Sequence, residues 1–256
     1  MILEITSKDN KIIKLVRSLS KKSSREKMGC FIVEGKRIAE EAIRDIPEKI
    51  SYVIISHSFR DKNTDIYNSL NRSGLNIYLV PDYIFDSISD TESPQGILAV
   101  VKFMDEKTED CDRLLILDGI SEPGNMGTIL RTAEAMGFND IILCGNAVDI
   151  YSPKVVRSTM GSLFRLNFKI EKNYDFIKNI KSNGYKIYAT ALSSSVSLEE
   201  IEPCKKSAIV IGNEAHGVSE DILSGSDINV RINMEGHVES LNASVAAAIT
   251  MYKFKK

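Results

Sequence analysis

The amino-acid sequence predicts an α/β protein in two halves, the second built on a largely parallel sheet. Three observations carry this. Short runs rich in isoleucine and valine recur along the chain, separated by segments with helical spacing. In the second half these runs are nearly continuous in apolar residues, as strands covered on both faces are. Between the halves lies MDEKTEDCD (104–112), strongly charged and without periodicity. The expected organisation is a domain over residues 1–104, a linker over 105–112 and a second domain over 113–256.

In the first half the candidate strands are CFIVEG (30–35), ISYVIISHS (50–58), NIYLV (76–80) and QGILAVVKF (95–103). Between them, KRIAEEAIRDI and TDIYNSLNRSG carry helical spacing, the second ending at Gly74 as a C-cap would. In the second half the strands are RLLILDGI (113–120), DIILCG (140–145), YKIYATAL (185–192), SAIVIGNE (207–214) and INVRINM (228–234). NMGTILRTAEAMG, NYDFIKNIKSNG and LNASVAAAITMYKF are the clearest helices there.

Composition narrows the function classes. Hydrophobic residues are 43% and charged residues 27% of 256, the balance of an ordinary globular protein. The opening MILEITSKDNKIIKLVRSL lacks an uninterrupted apolar segment, and no stretch reaches the roughly 18 apolar residues that span a bilayer. A cytoplasmic location and no membrane partner are expected. Cys30, Cys111, Cys144 and Cys204 lie far apart without CxxC spacing, which suits reduced thiols better than disulfides or a zinc site. The net charge of −2 does not itself suggest a nucleic-acid partner. Its distribution does: Lys8, Lys11, Lys14, Arg17, Lys21, Lys22, Arg25 and Lys27 face only Asp9 and Glu26 in that segment. Such a patch reads either as a phosphate-binding surface or as a solvated, lysine-rich helix face.

In an open parallel sheet, ligands bind beyond the carboxyl ends of strands. Three loops there are rich in small and polar residues: 118–127, 212–219 and 233–242. Gly212 and Gly217 have P-loop spacing, but Val218 stands where the phosphate-binding lysine would be. No strand is followed by G-x-G-x-x-G, and His216 and His237 have no partners at metal-ligand spacing, so no metal is expected.

The three loops resemble, in order and spacing, the three motifs of the SpoU family of RNA ribose methyltransferases, a branch of the SPOUT superfamily. Asn125 and Arg131 stand six apart in PGNMGTILRTAEAMG; Glu214 lies in IGNEAHGVS; Ser240, Leu241 and Asn242 lie in NMEGHVESLNASVAAAI. SPKVVRSTMGSLFRL (152–166) also looks like the family's middle segment, and the resemblance runs from about Leu115 to Met251. It implies a C-terminal trefoil-knotted methyltransferase domain and S-adenosylmethionine as cofactor. It further implies a homodimer in which the last helix contributes to the contact. Residues 1–103 resemble the small substrate-binding domain often fused to these enzymes, related in fold to ribosomal kink-turn-binding proteins. The turn from Val33 to Arg37 would then face RNA.

The resemblance assigns catalysis to Asn125, Arg131, Glu214, Ser240 and Asn242. From their residue types alone, Asn125 reads as a helix N-cap, Arg131 as a surface arginine, Glu214 as a loop ion-pair former, and Ser240 or Asn242 as a cap for the last helix. Cofactor contacts are expected at Gly212, where a small residue admits close backbone approach, at Ile232 and Leu241 through apolar contacts and backbone amides, and at Ala191 and Leu192, which would close the same pocket. The function implied is 2′-O-methylation of RNA, with 23S ribosomal RNA favoured. A transfer RNA methyltransferase and a non-catalytic RNA-binding or ribosome-assembly factor are the alternatives.

Overall fold

A computed structural model describes residues 2–106, 111–193 and 195–255. Residues 107–110 of the expected linker lie outside the described residues. The first half runs β1 (Ile2–Glu4), α1 (Lys11–Ser18), α2 (Lys22–Met28), β2 (Cys30–Glu34) and α3 (Lys36–Asp45). It continues with β3 (Ile50–Ser56), α4 (His57–Lys62), α5 (Thr64–Arg72), β4 (Ile77–Val80), α6 (Asp82–Asp86) and β5 (Ile97–Lys102). The second half opens with β6 (Arg113–Asp118), α7 (Pro123–Met136), β7 (Asp140–Cys144), α8 (Pro153–Thr159) and β8 (Asn167–Ile170). Then come α9 (Phe176–Ser182), β9 (Lys186–Thr190), β10 (Val196–Ser197), β11 (Ser207–Gly212), α10 (Glu220–Gly225), β12 (Ile228–Arg231) and α11 (Ala243–Phe254).

The chain forms two compact units. One holds residues 1–104 together with 149–164; the other holds 105–148 and 165–256. The first has a mixed five-stranded sheet in the order β1-β4-β3-β5-β2, with β5 antiparallel to both neighbours. Its core packs Ile13, Val16 and Leu19 against Ile54, Ile84, Phe85 and Leu98. Every residue of β2 is buried, so the alternation that marks a one-sided strand is absent there.

The segment 149–164 completes this unit through a buried ion pair. Arg25 is 3% exposed, and its guanidinium donates Nε and Nη2 to Asp149 Oδ2 at 3.0 and 2.6 Å. Its Nη1 donates to the carbonyls of Leu19 and Ser20, both at 2.8 Å. Two residues on, the Tyr151 ring stacks on Phe103 at 4.2 Å between centroids and tilts against Phe31 at 4.8 Å. Arg25 therefore does not belong to a solvated basic face, although its neighbours in sequence do. A fork that bonds two carbonyls and a carboxylate at once is hidden from a count of charges.

The second unit carries a seven-stranded sheet in the order β10-β12-β9-β11-β6-β7-β8, every pair parallel. β6, β7 and β11 are buried throughout or nearly so, as their unbroken apolar runs require. β1, β8 and β10 are edge strands of four residues or fewer, too short to show a periodic pattern. Among the described residues, no helix is long and apolar enough to cross a membrane.

Candidate active site

The carboxyl ends of β12, β9, β11 and β6 are neighbours in the second sheet, so the loops after residues 231, 190, 212 and 118 leave from one rim. The loop after β6 enters α7 with Pro123 at the first helical position and Glu122 as N-cap. The Glu122 carboxylate accepts from the Asn125 backbone N–H at 2.6 Å. Asn125 thus sits in the first turn of α7, not at its N-cap as its residue type suggests, and its side chain is free for other work.

That side chain joins three loops. Asn242 is the N-cap of α11, where its Oδ1 accepts from the Ser244 N–H at 2.9 Å and the Ser244 hydroxyl at 2.7 Å. With its oxygen so engaged, Asn242 turns its Nδ2 outward and donates to Asn125 Oδ1 at 3.0 Å. Asn125 in turn donates its own Nδ2 to Glu214 Oε1 at 2.6 Å. A helix N-terminus therefore sets the sense of both amides, and the relay ends on a carboxylate. Asn242 is at once a cap and a member of the cluster.

Arg131 and Ser240 are exposed and stand outside this relay. Six residues of helix place Arg131 about 9 Å along α7 from Asn125 and roughly 120° around it. Glu214 is thus partnered by Asn125 and not by Arg131.

Three residues that the sequence did not single out hold the loops in place. Asn213 donates to the Gly119 carbonyl at 2.7 Å and accepts from the Ala215 and His216 N–H groups. Asp118, the last residue of β6, is 4% exposed; it accepts from the Ser219 N–H at 2.8 Å and the Tyr174 hydroxyl at 3.1 Å. Glu122, described above, is the third. A buried aspartate closing an apolar strand is the signal that could have found Asp118. Burial, reinforced by this carboxylate, pushes the adjacent Cys144 thiol far above its ordinary range and keeps it protonated.

Of the residues expected to meet a cofactor, Ala191 and Gly212 end or follow strands at the rim, and Ala191 N–H donates to the Val230 carbonyl at 2.9 Å. Leu192 is 70% exposed, while Ile232 and Leu241 are half-buried. Arg231 and Asn233 cross to the neighbouring loop, donating to the Ser195 carbonyl and, at 2.9 Å, the Ser197 hydroxyl. Gly212 has a second reason to be glycine. Asn213 and Gly217 exchange both backbone hydrogen bonds, folding the loop back so that a Cβ on Gly212 would fall inside the Gly217–Val218 peptide. Gly212→Ala is expected to cost about 1–3 kcal/mol through this overlap with backbone, which cannot rotate away. Urea denaturation reads that loss, and calorimetry should show weaker cofactor binding because the Glu214 loop must shift.

Known proteins resemble this chain in both sequence and fold. Residues 112–252 match the SpoU rRNA Methylase family, and residues 10–99 match an MRM3-like substrate binding domain. The chain is 31% identical over 252 residues to the 23S rRNA (guanosine(2553)-2′-O)-methyltransferase RlmP of Bacillus subtilis, covering 98% of this chain and 99% of that protein. It is similar to the AdoMet-bound rRNA methyltransferase of Sinorhizobium meliloti, with TM-score 0.85 and 27% identity, over 98% of this chain and 97% of that one. It is also similar to the SpoU methyltransferase AviRb of Streptomyces viridochromogenes in complex with AdoMet, with TM-score 0.82 and 25% identity, over 95% and 96% of the two chains. A parallel sheet with the three motif loops on one rim, joined by the Asn242–Asn125–Glu214 relay, and a family match over more than half its length place this chain in the SpoU rRNA methylase family.

Proposed function

We propose that this protein transfers the methyl group of S-adenosylmethionine to a ribose 2′-hydroxyl of 23S ribosomal RNA, in the cytoplasm. The observation that carries the reading is the relay itself. It draws one side chain from each of three loops, far apart in sequence, to a single point on the rim. The 31% identity to a 23S rRNA 2′-O-methyltransferase over nearly the whole chain supports the RNA and the atom.

The residues at the rim suit the cofactor. Leu192 and Val238, in the loops that follow β9 and β12, expose apolar surface, 70% and 63%, and the buried Ser195 hydroxyl lacks a partner among the described residues. Ala191, Leu192, Gly212, Ile232 and Leu241 would hold it. When bound, S-adenosylmethionine supplies an electrophilic methyl group. The protein's part is to position the ribose oxygen and ease the loss of its proton. Glu214, fixed by Asn125, accepts a hydrogen bond from the ribose and orients it, while Ser240 lines the same rim. The planar guanidinium of Arg131 clamps RNA phosphate and stabilises charge on the oxygen. A phosphate of the RNA takes the proton.

The active form is a homodimer. α11 packs on α7, and its Lys253 ammonium donates to the Glu199 carbonyl at 2.9 Å, yet Val245, Ile249 and Tyr252 stay exposed at 46, 39 and 60% on one face. A second copy of that stripe would cover it. The C-terminal part of residues 113–256 forms a trefoil knot in this reading, as the family resemblance implies. The N-terminal unit resembles kink-turn-binding proteins and meets RNA at the turn from Val33 to Arg37, where Gly35 has φ +113° and the Lys36 N–H bonds Gln95 Oε1 at 2.7 Å.

The test is to incubate the purified protein with labelled S-adenosylmethionine and unmodified 23S rRNA, then map ribose methylation. A single methylated nucleotide is expected. No transfer to ribosomal or transfer RNA from folded protein would overturn the enzyme reading, and transfer only to transfer RNA would overturn the substrate.

A further inference from the structure

We infer that the basic face of α1 and the ring of Tyr83 form one docking surface for unpaired RNA, with a base stacked on the ring. This rests on the RNA methyltransferase reading and adds a contact outside both the catalytic rim and the turn at 33–37. Tyr83, on α6, is 55% exposed, an uncommon state for a ring that is also fixed. Its hydroxyl donates to the Thr6 carbonyl at 3.1 Å, and the Lys8 ammonium lies 5.3 Å from its centroid. The far end of α6 is tied to α1, because Arg17 donates to the Ser87 hydroxyl at 3.0 Å and the Ser87 carbonyl at 3.3 Å. These contacts at its two ends hold α6 beside α1.

On α1, Lys11, Lys14 and Arg17 recur every third residue and are all exposed, so they share a face. With Lys8 they make four cations. Asp9 is the carboxylate among them, and it is engaged by Lys14 at 2.8 Å, which holds its carboxyl below the usual range. On α6, Asp82 is held by the Ser58 hydroxyl and N–H, and Asp86 is exposed. A row of cations beside a fixed aromatic ring is the arrangement that tracks a phosphate backbone and stacks its bases; a duplex, with its bases already stacked, cannot use the ring.

The test uses the full chain, a fluorescein-labelled single-stranded RNA 12-mer, the matching duplex, and a polyglutamate peptide of equal charge. Tyr83→Ala and Tyr83→Leu are each expected to weaken single-strand binding roughly 5- to 100-fold. Tyr83→Phe, which keeps the ring, should stay within about twofold of wild type, and duplex affinity should not follow the ring. Replacing Lys8 and Lys11 together with alanine should reduce the salt slope of single-strand binding by about 1.4. Calorimetric cofactor binding should be unchanged in every variant. Wild-type affinity in Tyr83→Ala, equal losses for single strand and duplex, or equal binding of polyglutamate would each overturn the surface. Those outcomes with 23S rRNA still methylated would remove this inference alone, whereas absence of methylation by wild type would remove the reading beneath it.

Discussion

Replacing Arg25 with alanine is expected to destabilise the protein by about 3–5 kcal/mol, the largest stability effect of any single substitution considered. The reason is what the change leaves behind. Asp149 would keep a carboxylate whose side chain is 15% exposed, with its cation gone, and the carbonyls of Leu19 and Ser20 would lose their donor. An unpaired buried charge costs far more than a surface pair contributes. Lys14 and Asp9, at a similar distance of 2.8 Å but 58 and 88% exposed, provide the contrast, and Lys14→Ala should leave stability nearly unchanged. Arg25→Lys should recover little, because one ammonium cannot reach two carbonyls and a carboxylate with a planar fork. Urea denaturation of the three variants measures this directly. A loss below 1 kcal/mol for Arg25→Ala would show that solvent reaches the pair freely.

Arg131→Ala is expected to lower kcat by about 10²- to 10³-fold, the magnitude of losing one group that stabilises developing charge. The arginine is exposed on α7, so neither the melting temperature nor cofactor affinity by calorimetry should move. Arg131→Lys should remain poor despite its charge, since a compact ammonium cannot bind phosphate through two parallel donors. Single-turnover methylation of 23S rRNA separates the chemical step from RNA binding. Full activity in Arg131→Ala would reassign the charge-stabilising role.

Much of the second unit was legible because its physics is local. β6, β7 and β11 are buried on both faces, so their apolar runs announce them. The three loops were legible because ligand loops at strand ends need small and polar residues. What stayed hidden depends on contacts made at long range in sequence. Asn125 read as a cap because asparagine favours that position, yet Pro123 already marked the true helix start two residues earlier. The relay from Asn242 to Glu214 joins residues 117 and 89 apart, and no spacing rule reaches so far. The buried state of Arg25 depends on Asp149, 124 residues away, and inside a basic run it looks like its solvated neighbours.

The grouping of residues 149–164 with the first unit bears on how such proteins can be recombined. A splice at the charged stretch looks natural on paper, since one span would bind substrate and the other would do chemistry. Yet the N-terminal piece so excised would lack Asp149 and Tyr151, leaving the Arg25 guanidinium without its anion and the Phe31 and Phe103 rings without their cover. A hybrid that borrows the first unit from a relative must therefore import two stretches of chain, the second from inside the methylase portion. Inheritance of the first unit is thereby bound to inheritance of part of the methylase portion, and the two are not freely shuffled.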